Sequence, residues 1–276
     1  MIIDSHHHFW NYNPVEYDWI EDDMKKIRAN FLPPDLKEEI DIAGVDGVIT
    51  VQARQTTEET EWILQLAADN EFIKGVIGWI PLIDMNCEEY LRRHKDNPYL
   101  KGVRHVLQGE PDPEYMLHND FNRGVRLLRK YELVYDILIF EQQLPQTIEF
   151  VDIHPDQAFV LDHIAKPKIK HNLINPWKNN IFELAKRDNV CCKISGMVTE
   201  SDYSTWTVEQ LYFYFETVLE AFGSERLMFG SDWPVCLVAC EYNQWLDIVK
   251  DFISKLSAGE QEDILGLNAA RIYHLI

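Results

Sequence analysis

Short apolar runs rich in β-branched residues recur along the whole chain, separated by charged, amphipathic stretches. The runs are Ile2–Asp4, Gly47–Ala53, Gly75–Leu82, Gly102–Leu107, Val134–Phe140, Phe159–Ile164, Val190–Gly196 and Leu227–Trp233. Continuous apolar character of this kind suits strands buried on both faces, as in a parallel sheet covered by helices. Between the runs, Thr57–Asp69, Asp120–Tyr131, Asn175–Lys186, Thr207–Ala221 and Glu241–Leu256 carry apolar residues at helical spacing. Thr56-Thr57 and acidic residues in the first turn mark the start of the first of these helices. No Gly/Pro/Ser-rich linker or low-complexity tract interrupts the alternation. The pattern therefore predicts one domain over residues 1–276, a (β/α)8 barrel of the TIM type. An open doubly wound sheet is the competing architecture, but it usually carries a Gly-rich phosphate turn after the first strand, and none is present.

Composition narrows the partners. A formal charge of −20 repels nucleic acid and anionic membranes, so neither is expected. No apolar run approaches the ~20 residues needed to cross a bilayer. The opening MIIDSHHHFW has no basic start, apolar segment and cleavage site, so no signal peptide is expected. Cys87, Cys191, Cys192, Cys236 and Cys240 form no CxxC pair and fit reduced, buried thiols in a cytoplasmic protein.

In this fold catalytic groups sit at the C-terminal ends of strands, which says where to look. The first strand ends in Asp4-Ser5-His6-His7-His8. His6 and His8 are two apart, so in an extended chain they project to the same side and form half a site for a divalent cation. His7 points the other way, toward packing or a hydrogen bond. The fourth strand ends in Arg104-His105. A guanidinium there can hold a carboxylate or polarise a carbonyl, although a structural ion pair would explain it equally well. The sixth ends in Asp162-His163, and the eighth in Ser231-Asp232-Trp233-Pro234. Barrel closure brings Asp232 beside the first strand, where it can bind a metal or take a proton from water; capping the next helix is its plainer role. Gln52, Arg54, Trp79, Lys193, Ser195 and Met197 at the remaining strand ends could line the pocket. The fifth strand offers no histidine. No GxSxG elbow, P-loop or HExxH helix points to other chemistry.

IDSHHHFW, GVRHVL, FVLDHIAKP, CKISGM and MFGSDWPV, in this order, resemble the amidohydrolase superfamily. They are most similar to its amidohydrolase-2-type branch, which includes sugar-acid lactonases and the pyrone-dicarboxylate lactonase. The resemblance spans Ile3 to about Asn268. It implies a metal-type HxH pair at His6 and His8, a functional histidine at His163 and an aspartate at Asp232, with Arg104 and His105 contacting substrate. The chain lacks the bridging and strand-five ligands of two-metal members, which argues against a binuclear centre. The implied cofactor is one divalent, zinc-like ion, held loosely or dispensable.

The expected reaction is hydrolysis of a sugar-derived lactone, with Asp232 as general base and His6, His8, His163 and Arg104 stabilising the oxyanion. Trp10, Trp19, Trp79 and Trp233 are the expected sugar-stacking walls, with Gln52 and Ser195 hydrogen-bonding the ligand. Two rivals are a non-oxidative decarboxylase of aromatic or unsaturated acids and a non-catalytic binding barrel. Assembly into a homo-oligomer stays open.

Overall fold

Each of the eight apolar runs overlaps a β-strand, and the strands lie side by side in chain order in a single parallel sheet. The computed structural model describes residues 1–275. The strands are β1 (Ile3–His7), β2 (Gly47–Val51), β3 (Ile73–Gly78), β4 (Leu100–His105), β5 (Val134–Ile137), β6 (Phe159–Leu161), β7 (Val190–Ile194) and β8 (Leu227–Phe229). The sheet closes on itself where His7 bridges Trp233, with His8 N donating to Trp233 O at 2.7 Å and Asp232 N to His6 O at 2.8 Å. The closing contacts thus run through the residues that carry the candidate chemistry.

Eight larger helices surround the sheet: α1 (Pro33–Ala43), α2 (Thr57–Asp69), α3 (Cys87–His94), α4 (Asn119–Leu128), α5 (Leu144–Ile153), α6 (Trp177–Leu184), α7 (Val208–Phe222) and α8 (Tyr242–Ile253). The short helices α9 (Ala258–Glu262) and α10 (Asn268–Ile272) follow. Five of the larger ones occupy the stretches expected from periodicity. α1, α3 and α5 were not expected; α3 buries only Cys87 and Leu91, too few positions to set a period. β6 and β8 are three residues each, shorter than their apolar runs, because the chain turns away to form the mouth.

Alternation along each strand separates two apolar regions. Outward residues such as Val103, Tyr135, Leu161, Cys192 and Phe229 pack with the helices into the main core. Inward residues Ile49, Val51, Ile77, Val134, Val160, Cys191 and Met228 fill the barrel, with Tyr273 of the C-terminal segment packed among them. Two residues further on, in β5 and β7 and just past the end of β6, the inward positions become Asp136, Lys193 and Asp162, so an apolar floor gives way to a charged layer. All five cysteines are buried and unpaired. Among the described residues no helix is long and apolar enough to cross a membrane.

Candidate active site

Barrel closure gathers His6, His8, Arg104, His163 and Asp232 at the C-terminal ends of the strands, each at most 5% exposed. Nε2 of His6 and Nε2 of His8 are 3.2 Å apart. Asp232 Oδ1 lies 3.6 Å from His8 Nε2, 3.8 Å from His6 Nε2 and 4.0 Å from His163 Nε2. His8 Nδ1 faces the Val51 carbonyl at 2.8 Å and His6 Nδ1 faces Asp162 Oδ1 at 3.2 Å. The Val51 carbonyl can only accept, so His8 Nδ1 donates and leaves a lone pair on Nε2; His6 Nε2 accepts from Arg104 Nη1 at 3.2 Å, and its Nδ1 lies 3.2 Å from both Asp162 Oδ1 and Lys193 Nζ. Burial reinforces this by holding both imidazoles below their ordinary range and therefore neutral.

Three electron-rich atoms turned inward favour a cation between them. A tetrahedral ion with bonds of about 2.0–2.1 Å separates its ligand atoms by about 3.3–3.4 Å. The observed separations of 3.2, 3.6 and 3.8 Å among His6, His8 and Asp232 are close to that, so one divalent ion fits. His6, Asp162 and His163 are a second convergent trio, but Asp162 is already committed to cations, which makes it the poorer choice.

Asp232 owes its place to local backbone structure. Its φ of +59° is a left-handed conformation that aspartate tolerates better than most residues. The carboxylate of Asp4 anchors the approach to it, accepting from Ser231 N at 2.8 Å, Ser231 Oγ at 2.6 Å and Tyr242 OH at 3.0 Å. Burial alone would raise the Asp232 carboxyl, but His163 and His8 facing it hold it below its ordinary value. It is ionised at neutral pH.

Beneath the mouth lies a charged support, and Lys193, expected to line the pocket, is fully buried within it. Asp162 accepts from Arg104 Nη1 at 3.0 Å, and its Oδ1 is 3.0 Å from Lys193 Nζ. Lys193 also pairs with Asp136, which accepts from Tyr273 OH at 2.9 Å. Burial would raise Asp162, but Lys193, His6 and Arg104 hold it well below the carboxylate range. Gln52 binds Arg104 from the other side, with Oε1 3.1 Å from Nε and 2.7 Å from Nη2. The guanidinium also directs Nη1 at His6 Nε2, 3.2 Å away.

The amidohydrolase family model matches residues 3–275. The chain belongs to the amidohydrolase family. It is 38% identical over 99% of its length to an L-fucono-1,5-lactonase of Burkholderia multivorans, 96% of which is covered. An L-fucono-1,5-lactonase of Burkholderia ambifaria is 28% identical over 99% of this chain and 95% of its own. The crystal structure of a Burkholderia multivorans amidohydrolase with bound Zn superposes with a TM-score of 0.97 at 37% identity, covering 100% of both chains.

In this amidohydrolase the mouth opens into a cavity of about 500 Å³ whose lining includes His8, Trp19, Arg104, His163, Lys166, Glu200 and Asp232. Four expected wall or contact residues stand elsewhere. His105 alternates with Arg104 and so faces out of the barrel, where its Nε2 meets Glu110 at 2.7 Å and its Nδ1 accepts from Trp79 Nε1 at 3.2 Å. Trp79 is thereby occupied outside the cavity. Trp10 is fully buried, donating to the Ala29 carbonyl at 2.9 Å and packed with Tyr17, Ile20 and Ile27. Trp233 wedges between Phe9 and Phe31. These four lie outside the cavity lining, and Trp19 is the tryptophan that reaches it. Gln52 and Ser195 act one step back: Gln52 on Arg104, and Ser195 on His163, whose Nδ1 is 2.9 Å from Ser195 Oγ. Arg54 and Met197 also lie outside the lining.

Proposed function

We infer that this amidohydrolase opens a sugar-derived lactone, an aldonolactone, to its hydroxy acid. The observation that carries the reading is the ionised Asp232, with Oδ1 3.6–4.0 Å from three imidazole nitrogens at the base of the cavity. A base set among groups able to stabilise charge on oxygen is what ester hydrolysis requires. The two fuconolactonases among its relatives support the sugar class.

Asp232 takes a proton from water as the water oxygen bonds to the lactone carbonyl carbon. His163 is neutral, its burial lowering it to about 4, and a Ser195 hydroxyl proton on Nδ1 keeps the ring's own proton on Nε2, facing the reacting atoms. That N–H donates to the oxyanion, and the Arg104 guanidinium, its N–H groups held by Gln52, Asp162 and His6, adds a fixed positive charge beside it. The tetrahedral adduct collapses with cleavage of the ring C–O bond, and the Asp232 carboxyl returns its proton to the departing alkoxide. The hydroxy acid then ionises, releasing one proton per turnover. His6, His8 and Asp232 would hold one zinc-like ion, which when bound would supply Lewis-acid stabilisation of charge on oxygen. Arg104 and Lys193 already place fixed cations beside these groups, so the reading tolerates a loosely held ion.

Charge argues against the decarboxylase rival. Glu21, Asp23, Glu200 and Asp232 line the cavity against Arg104 and Lys166, so an anionic substrate finds no surplus cation. A neutral lactone needs none. The same acidity, within a chain of net charge −20, disfavours nucleic acid as a partner. Five buried, unpaired thiols suit the cytoplasm. The test is a panel of aldonolactones scored by proton release with a pH indicator. At least one should be opened well above its spontaneous rate; a panel with no such member would overturn the reading.

A further inference from the structure

The chain reverses direction after β6 in an unusual way. His163, Ile164, Ala165 and Lys166 have φ of +53°, +50°, +62° and +47°, four successive residues in the left-handed region. L-residues other than Gly, Asn and Asp rarely adopt that conformation, so the turn persists only because its surroundings enforce it. Lys166 N donates to His163 O at 2.8 Å, and Trp177 Nε1 donates to Ile164 O at 2.7 Å. The turn presents two side chains to one cavity, His163 at its base and Lys166 on its wall.

The two lining cations are not equivalent. The Arg104 N–H groups have acceptors in Gln52, Asp162 and His6. The Lys166 ammonium has no hydrogen-bond acceptor among the described residues, and the nearest carboxylate oxygen, Glu200 Oε1, is 4.0 Å from its Nζ. Both side chains are mostly buried, 18% and 22% exposed. The ammonium lies 5.7 Å from the centre of the Phe140 ring, another cavity wall. A donor and an acceptor thus stand side by side, too far apart to satisfy each other and shielded from much of the solvent.

We propose that Lys166 and Glu200 form the sugar-reading subsite of this cavity, binding two neighbouring hydroxyls of the lactone ring. One hydroxyl oxygen accepts from the Lys166 ammonium while the adjacent hydroxyl donates to the Glu200 carboxylate. The pair is neutral overall, which matches a polyol rather than an anion; a carboxylate entering here would meet Glu200, Glu21 and Asp23 as well as Lys166. The Phe140 face beside Lys166 gives the carbon side of a sugar ring an apolar wall. Burial, the largest influence on Glu200, raises its carboxyl above the ordinary value, as expected of an acceptor with little water around it. Specificity for hydroxylated lactones then arises because an unhydroxylated ring leaves both buried groups unpaired.

This subsite rests on the lactonase reading, and the experiment separates the two. kcat/KM is measured for an aldono-δ-lactone and for unsubstituted δ-valerolactone with the parent, Lys166→Met and Glu200→Gln. The parent should favour the hydroxylated ring, and each substitution should reduce that preference about tenfold or more, chiefly through KM. Glu200→Gln is nearly isosteric and keeps the test decisive if Lys166→Met fails to fold. Equal losses on both lactones in the folded variants, or a preference left intact, would overturn the subsite while the lactonase reading stands. A parent that opens neither ring, nor any other aldonolactone, would overturn both.

Discussion

Charge survives at the base of this cavity because each buried carboxylate has partners of its own. Asp162 lies between Arg104 and Lys193, Asp136 between Lys193 and Tyr273, and Asp232 among three imidazoles. Removing one partner would leave a buried charge uncompensated, which is costlier than the interaction lost. His163 is held as tightly by shape. A Cβ on Gly196 would sit 2.6 Å from His163 Nδ1, and Gly196 has a φ of +62°. Gly196→Ala should therefore displace the ring from Ser195, costing about 1–3 kcal/mol of stability and about tenfold or more in kcat. Urea unfolding and the kcat on the best lactone check both, and unchanged kcat would show that His163 need not stand where it does. The strand-end histidines and Asp232 could be picked out from sequence because polar residues stand out at the end of apolar runs. The alternation that turns Arg104 inward turns His105 outward, so treating both as substrate contacts ignored the period of two. Asp136, Asp162 and Lys193 lie far apart along the chain, and their pairing exists only after the barrel closes.

At the scale of elements, the alternation of apolar runs and amphipathic stretches was enough to number and order the strands, since parallel strands covered by helices are apolar on both faces. Helices with few buried apolar positions or a turn-like start were not legible. α1 begins with Pro33-Pro34, which reads as a turn, and α5 follows the β5 run after a few residues. Packing between elements also reverses a local preference. Gly124 lies within α4, where alanine would ordinarily stabilise by about 1 kcal/mol. Here a Cβ would fall 2.2 Å from the Leu82 carbonyl oxygen, so α4 would have to move off the chain that follows β3. Gly124→Ala should destabilise the fold by about 1–3 kcal/mol in urea unfolding. Equal or greater stability would mean that α4 is free to shift.

Over the whole molecule, burial of neutral histidines sets an acid limit to stability. His154 is lowered to about 4 by burial, with Arg126 adding to the effect, and its Nε2 is 2.6 Å from Asn122 Oδ1. The folded chain keeps this ring neutral while the unfolded chain protonates it near its ordinary 6.5. Its contribution is fully present above pH 6.5 and is lost as the pH falls toward 4, at about 1.4 kcal/mol per unit. Asp4 and Glu59, raised by burial to about 6 and about 7, act in the opposite sense and recover stability over part of that window. His154→Gln isolates one term: the stability gap between parent and variant should move by about 2 kcal/mol against the parent between pH 7 and pH 5. A constant gap would mean that the ring is protonated in the folded chain.

The closed barrel delivers Asp232 to the lactone as its proton acceptor. The most direct test is kcat, from initial rates of proton release at saturating aldonolactone, for the parent and for Asp232→Asn, with circular dichroism establishing that both are folded. An amide keeps the shape of the carboxylate but takes no proton at neutral pH. For a general base, kcat should fall about 10²–10⁴-fold with little change in KM. An Asp232→Asn protein that keeps a tenth or more of the parent's kcat, a loss of at most about 1.4 kcal/mol, would contradict that role.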